Sequence, residues 1–430
     1  MKKLVIGIVI LVLVYVGLLF FVKSSSKDVV ANEVAQLNNN PQISASVESE
    51  SSGLFSSTAV INVNSAADAT PILKIKQTQS YGPVLFTEEG IKLGWYFINA
   101  DLIPSEELKQ EIPNTIDAND LFDIHFISGF AGSVQGDVYF KGLDFSDNDV
   151  QVNISAGEMH VDTDVTFEHL VGNAAWPGMT VTGKNEDGFT MNSVKLDFDQ
   201  TLISGNLMEG NAIYTGEGTY SVGDIVFKQA NNFFKMENFS VKGVADIENE
   251  TSMNMAIEMK TDLVNVAGEK FTDSKLNMYF NGMDLDVLKK MGEISQEMQQ
   301  AAMQGQDVSA YNMQLMNTMM QLAQKGPRIQ MKDTQLITED GMIKADMDIQ
   351  VDQQKMDPNN PMAIMMALNA AFNAEAPEAF FAKKGMSPMI DQWAQMNFLV
   401  KEGDTLKVNA TYSDGAALLN GQPMQGMPGM

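Results

Sequence analysis

The sequence predicts an α+β protein: an N-terminal transmembrane helix, then a large curved antiparallel β-sheet with amphipathic helices packed on one face. Three observations predict it. Between about residues 46 and 423, apolar and polar residues alternate with a period of two over many short runs. Two stretches, near 284–325 and 358–395, replace that period with helical composition and spacing. Leu4 to Val22 carries no charge at all.

The N-terminal run comes first. As a helix it would measure about 28 Å at 1.5 Å per residue, close to the hydrocarbon thickness of a bilayer. Lys2 and Lys3 precede it, and Lys23-Ser24-Ser25-Ser26-Lys27 follows without the small-residue pattern of a cleavage site. Residues 1–27 therefore read as an uncleaved anchor with its flanks. The lysines on its two sides nearly balance. A single anchor ahead of a long acidic chain is most simply oriented with its N-terminus in the cytoplasm and the bulk in the periplasm. Residues 28–45 read as a short helix (Val29, Val30, Val34, Leu37) and a linker that starts at Asn38-Asn39-Asn40-Pro41.

Strands follow. Val150, Val152 and Ile154 alternate with polar neighbours, as do Met159, Val161, Val165 and Phe167, and then Val194, Leu196 and Phe198. Met253, Met255, Ile257 and Met259 form the next run, and Leu276, Met278 and Phe280 the one after it. Such runs are half-buried antiparallel strands. Turn chemistry between them falls at Asp144–Asp149, Asn185–Gly188, Gly216-Glu217-Gly218 and Asn281-Gly282. From Asp284 to Lys325, Val287, Met291, Ile294, Met298 and Ala302, then Val308, Tyr311, Leu315 and Leu322, make one face of two helices broken near Gly305. Gly326-Pro327 ends them. Ile329 and Met331 lead through Glu339-Asp340-Gly341 into the strict alternation Ile343 to Val351, a hairpin. The second helical stretch is Ala- and Met-rich from Pro361 to Phe381 and continues to Trp393. Residues 424–430, rich in Met, Gly and Pro, read as a frayed tail.

Charge excludes some partners. With 28 Lys and Arg against 55 Asp and Glu, the formal net charge is −27. Nucleic-acid binding draws on clustered cations, so no nucleic-acid partner is expected. About four hundred residues beyond the anchor exceed the usual single-core limit of about 250–300, so two lobes or one elongated sheet are expected. The 31 methionines are either core filler or a soft surface for apolar ligands.

No catalytic constellation emerges. His160 shares a strand face with Asp162 and Asp164, donor types that could hold a cation, but the alternation places that face in water. His169 lacks a second histidine four residues on, and Asp144, Asp147 and Asp149 lack the glycine and glutamate of a calcium loop. There is no cysteine, hence no thiol nucleophile. No catalytic, cofactor or metal residues are assigned, and no cofactor is implied.

Several short motifs resemble a bacterial family. They are Gly53-Leu54-Phe55-Ser56-Ser57, Ser80-Tyr81-Gly82-Pro83, Gly326-Pro327-Arg328-Ile329 with Thr338-Glu339-Asp340-Gly341, and Asp414-Gly415 followed by Leu419-Asn420-Gly421-Gln422-Pro423. In this order the chain resembles the YdgA-like family of N-terminally anchored bacterial envelope proteins of unknown function. Ser52 stands where that family commonly has arginine and Tyr81 where it has histidine. The resemblance implies an inner-membrane envelope protein and says little about mechanism.

The functional expectation is a non-enzymatic protein of the periplasm, held to the inner membrane by its anchor. It would bind lipid or an envelope protein through the apolar face of the sheet. Met253, Met255, Ile257, Met259, Leu276, Met278 and Phe280 are the candidates for that face. The alternative is a solute-binding or hydrolytic ectodomain of the envelope.

Overall fold

The computed structural model describes residues 29–424 apart from 39–42, 54–55, 66–68, 70, 88–89, 107–120, 147–149, 165, 185–186, 206–211, 230–231, 304–305 and 357–362. The apolar run Leu4–Val22, Val165 and the 425–430 tail lie outside the described residues. Among the described residues no helix is long and apolar enough to cross a membrane. The chain divides into two compact units, one reaching Gly210 and including Gln296–Val308, the other made of Asn211–Ser295 and Ser309 onward.

In the first unit, helix α1 (Val29–Leu37) is followed by β1 (Ile43–Ser52), so the expected linker boundary at residue 45 falls inside a strand. Then come β2 (Ser56–Ser65), β3 (Pro71–Tyr81), a small separate hairpin of β4 (Val84–Thr87) and β5 (Gly90–Leu93), and β6 (Tyr96–Pro104). β7 (Phe122–Ser128), β8 (Ser133–Phe140), β9 (Leu143–Ser146), β10 (Val150–Ile154), β11 (Gly157–Asp164), β12 (His169–Gly183) and β13 (Gly188–Ser204) complete it. All pairings are antiparallel: β1-β2-β3-β6-β7-β8-β11-β12-β13 run side by side. β12 changes partner along one edge. Residues 170–175 pair with β11 and 179–183 with β10, which in turn pairs with β9.

The core of this unit follows from the alternation. Ala59, Ile61 and Val63 of β2 point inward with Ile98, Ala100 and Leu102 of β6, Ile124 and Phe126 of β7, and Val134 and Val138 of β8. Val30 and Leu37 of α1 close the same core, seven residues apart on one helix face with Val34 packed between them.

The second unit is an up-and-down antiparallel array of β14 (Ile213–Gln229), β15 (Asn232–Asn249), β16 (Ser252–Val266), β17 (Glu269–Asp284), β18 (Arg328–Thr338), β19 (Gly341–Val351), β20 (Leu368–Pro377) and β22 (Thr405–Ser413). β21 (Val400–Glu402) and β23 (Ala416–Leu419) pair with the two ends of β22, and β24 (Gln422–Pro423) pairs with β23. Helices α2 (Leu285–Met303), whose residues from Gln296 group with the first unit, and α3 (Ser309–Gln324) are inserted between β17 and β18, which still pair directly. Short helices α4 (Ala363–Ala367), α5 (Glu378–Ala382) and α6 (Ser387–Gln395) flank β20 and β21. Ile390 of α6 packs with Leu399 and Leu406 in a small second core.

Several expectations need correction, among them that Phe167 continues a strand: β11 ends at Asp164 and Phe167 takes φ +58° in the turn after it. The second insertion, 358–395, is not helical throughout: Leu368–Pro377 is β20, because backbone pairing to β19 on one side and β22 on the other outweighs the helix propensity of an Ala-rich segment. Gly216-Glu217-Gly218 is not a turn but lies inside β14, with Gly216 at φ +119° opposite Ala245. Asn281-Gly282 is a bulge in β17, where Gly282 takes φ +67° and donates its N–H to Asn254 Oδ1 at 3.0 Å. On α2 the buried residue at the end of the stripe is Ala301, with Ala302 exposed; Val287 and Ile294 are buried as the spacing requires.

Candidate functional site

The apolar face of the second unit is built by register. Tight turns fix that register. Asn249 Oδ1 accepts the Thr251 N–H at 2.9 Å between β15 and β16, and Ala267-Gly268, both at positive φ, join β16 to β17. Directly opposed residues of antiparallel strands share a face, as do residues two apart along a strand. Three apolar rows result. Tyr220, Val241, Met259 and Leu276 form one. Gly218, Gly243, Ile257, Met278, Met331, Met347, Phe372 and Ala410 form the second. Gly216, Ala245, Met255, Phe280, Ile329, Ile349, Ala370 and Tyr412 form the third.

Six of the seven candidates from sequence, Met255, Ile257, Met259, Leu276, Met278 and Phe280, thus stand together on one face. Met253 does not share their exposure: it lies beyond the β17 bulge opposite Met283 and is 2% exposed, a core side chain. The face is half-open. Ile257, Phe372 and Tyr220 are 36–38% exposed, and a Cβ placed on Gly243 would touch nothing within 4 Å. The three rows hold no charged residue.

The opposite face is polar and closed on itself by ion pairs. Lys242 Nζ lies 2.7 Å from Glu217, Lys260 pairs with Glu258, and the Arg328 guanidinium grips both oxygens of Asp348 while Gln330 donates to the same carboxylate at 3.0 Å. The Arg328 guanidinium holds the Asp348 carboxyl below the usual carboxylate range. The chemistry of the apolar face is therefore plain. It can shelter hydrocarbon from water, and it offers no side-chain charge to a polar ligand. Methionine suits such a surface, being unbranched and polarisable.

The histidines are engaged elsewhere. His160 lies between two carboxylates, Nδ1 at 2.6 Å from Asp137 on the adjacent strand and Nε2 at 2.9 Å from Asp162. Asp164 is not part of that group. It caps the β11–β12 turn, accepting the N–H of Thr166, Glu168 and His169 at 2.8–3.1 Å. The Asp137 hydrogen bond raises the His160 pKa, opposed by partial desolvation and helped by Asp162. A raised folded-state value means the pairing stabilises fully below the unfolded pKa of about 6.5 and is lost as pH climbs through the folded value. His160 is 38% exposed in its side chain, so the step should stay under about 1 kcal/mol. Urea midpoints at pH 5.5 and 8.5 should show this step in the wild type and not in His160→Gln. An equal step in both would assign it to another group. The third histidine, His125, is buried in β7 between Phe97 and Tyr139, with Asp123 2.7 Å from its Nε2.

Sequence reasoning missed one surface. The β4–β5 hairpin exposes Phe86 and Ile91 at 70% and Leu93 at 65%. These residues lie in strands of four residues, too short for a period to show.

A family model described as "Bacterial protein of unknown function (DUF945)" matches residues 1–426. No curated protein and no solved structure matches the chain.

Proposed function

Since the chain belongs to this bacterial family of unknown function across nearly its whole length, we propose that it is a non-enzymatic envelope protein that shelters lipid acyl chains on its apolar sheet face. In this reading Leu4–Val22 anchors the chain in the inner membrane, the rest lies in the periplasm, and the YdgA-like resemblance describes the same plan. One observation carries the proposal: two apolar rows continue in register from β14 to β22 and a third from β14 to β17, without a charge and half-open to water. Soluble proteins rarely leave a contiguous apolar surface uncovered unless something binds there. A protein partner would need to bring its own apolar segment to the same rows.

Photo-crosslinking in cells separates these cases. Photoreactive residues at Met255 and Met278 should capture lipid, while one at Lys260, on the ion-paired face, should not. Asn254 is a poor control because its side chain holds the β17 bulge. Protein adducts alone at Met255 and Met278 would replace lipid by a protein partner, and equal capture at all three positions would remove the site.

A further inference from the structure

We propose that the β4–β5 hairpin of the first unit docks onto the lipid bilayer as an interfacial foot; the inference rests on the membrane-anchor reading above. The hairpin is a two-stranded ribbon set apart from the large sheet, with Val84 opposite Leu93 and Phe86 opposite Ile91. Opposed pairs share a face, so these four apolar side chains project together. Their exposures are 42%, 65%, 70% and 70%. Trp95, two residues beyond Leu93, is 54% exposed and meets Phe130, 49% exposed, edge-to-face at 5.3 Å.

The ribbon's other side is held firmly. Leu85 is fully buried, and Gly94 is so close to its surroundings that an added Cβ would lie 2.5 Å from the Ser128 carbonyl oxygen and 3.1 Å from Leu85. Trp95 N–H donates to that same Ser128 oxygen at 2.8 Å, and Gly82 N–H donates to the Trp95 oxygen at 3.1 Å. Below them the Tyr81 hydroxyl lies 2.6 Å from Ser57 Oγ and donates to Gln79 Oε1 at 2.7 Å, joining two of the short motifs noted in the sequence. A hairpin fixed on one face with its hydrocarbon outward on the other is costly in water, where such area carries about 25 cal/mol per Å².

The occupant follows from where the chain continues. Only Lys23–Asp28, six residues, separate the apolar run Leu4–Val22 from α1, whose Val30 and Leu37 are built into this unit's core. Fully extended, six residues reach about 20 Å. Anchoring by the apolar run would hold this unit against the bilayer at high effective concentration, so a weak interfacial contact suffices. Trp, Phe, Ile and Leu side by side are the residues that settle at the boundary of headgroups and acyl chains. With a net charge of −27 the chain is suited to a zwitterionic surface over an anionic one.

The chain has no cysteine, so a single label is unambiguous. Full-length Phe86→Cys and Ile203→Cys, the latter at an exposed apolar position of the same unit, are labelled with an environment-sensitive fluorophore and reconstituted into phosphatidylcholine vesicles. Emission from position 86 should shift to the blue and be quenched by shallow doxyl lipids, with position 203 unaffected. Phe86→Glu with Ile91→Glu should abolish the shift of a label at Leu93→Cys while leaving co-flotation intact. Co-flotation without quenching at position 86, or equal quenching at 86 and 203, overturns the foot and leaves the anchor standing. Failure to co-float at all overturns the anchor, and the foot with it.

Discussion

Replacing Gly178 by alanine is expected to cost about 3 kcal/mol or more, among the largest effects of any single substitution in the chain. Gly178 sits in β12 at φ +122°, where an added Cβ would lie 1.9 Å from the Met191 carbonyl oxygen and 2.6 Å from the Asn192 Cα. Both are backbone atoms of the paired strand β13, so no rotamer change relieves the overlap. The position is also where β12 passes from β11 to β10, and its carbonyl accepts the Ser155 N–H at 2.9 Å. Trp176 lies two residues away and donates its indole N–H to the Ser155 oxygen at 3.0 Å, giving a local reporter. Urea unfolding should show an earlier midpoint for Gly178→Ala and a red-shifted Trp176 emission before the transition. Gly243→Ala, with open space around the new methyl, should stay within about 0.5 kcal/mol of wild type. Similar midpoints for the two variants would mean that the strands do not approach so closely at Gly178.

Asp284→Ala should cost about 2 kcal/mol at neutral pH, summing a lost helix cap and a buried N–H left without its acceptor. Asp284 ends β17 and begins α2, and its Oδ1 accepts the Val287 N–H at 3.0 Å, the third residue of the helix. Its Oδ2 lies 2.9 Å from Lys325 Nζ, just past α3, so one carboxylate ties both ends of the helical insertion. Burial pushes the Asp284 pKa up, but the Lys325 ammonium and the N–H groups of Val287 and Asp286 outweigh it and hold it below the usual range. A depressed folded value means the contribution is present above the unfolded pKa of about 3.9 and disappears as pH falls through the folded value. Chemical denaturation of wild type and Asp284→Asn should therefore differ most at pH 7 and converge in acid. A gap unchanged between pH 7 and pH 2.5 would show that charge plays no part.

How much of this was legible in the sequence depends on the range of the interaction involved. Alternation such as Ile343 to Val351 is written in neighbouring residues, and it placed β19 and the rows of β16 and β17. Glycine is ambiguous at that range. Gly216 and Gly282 have the backbone freedom of turn residues, yet here one lies inside a paired strand and the other at a bulge, because the partner strands continue past them. Leu368–Pro377 is illegible at that range for the same reason: an Ala-rich segment becomes a strand only when β19 and β22 are there to pair with it. Of the candidate face, the seven residues named from sequence are a local fragment. Ile329, Met331, Met347, Ile349, Phe372 and Tyr412 join it through register alone, from strands up to about 150 residues away in the chain. Met253 looked equivalent to Met255 because a bulge in the opposing strand leaves no mark on its own strand.

The neighbour-to-neighbour order of the second unit also bears on how fast it can form. From β14 to β17 each strand pairs with the one made just before it, across connections of two residues, so closing each hairpin belongs to the microsecond class of events. Low sequence separation between contacts is what speeds a β protein towards its native state. The pairing of β17 with β18 must wait for a connection of 43 residues, from Leu285 to Pro327, to close. β20 likewise pairs with β22 only across 27 residues, from Glu378 to Asp404. These two long closures are where folding should be slowest, and where an edge strand stays unpaired and open to the wrong partner for longest.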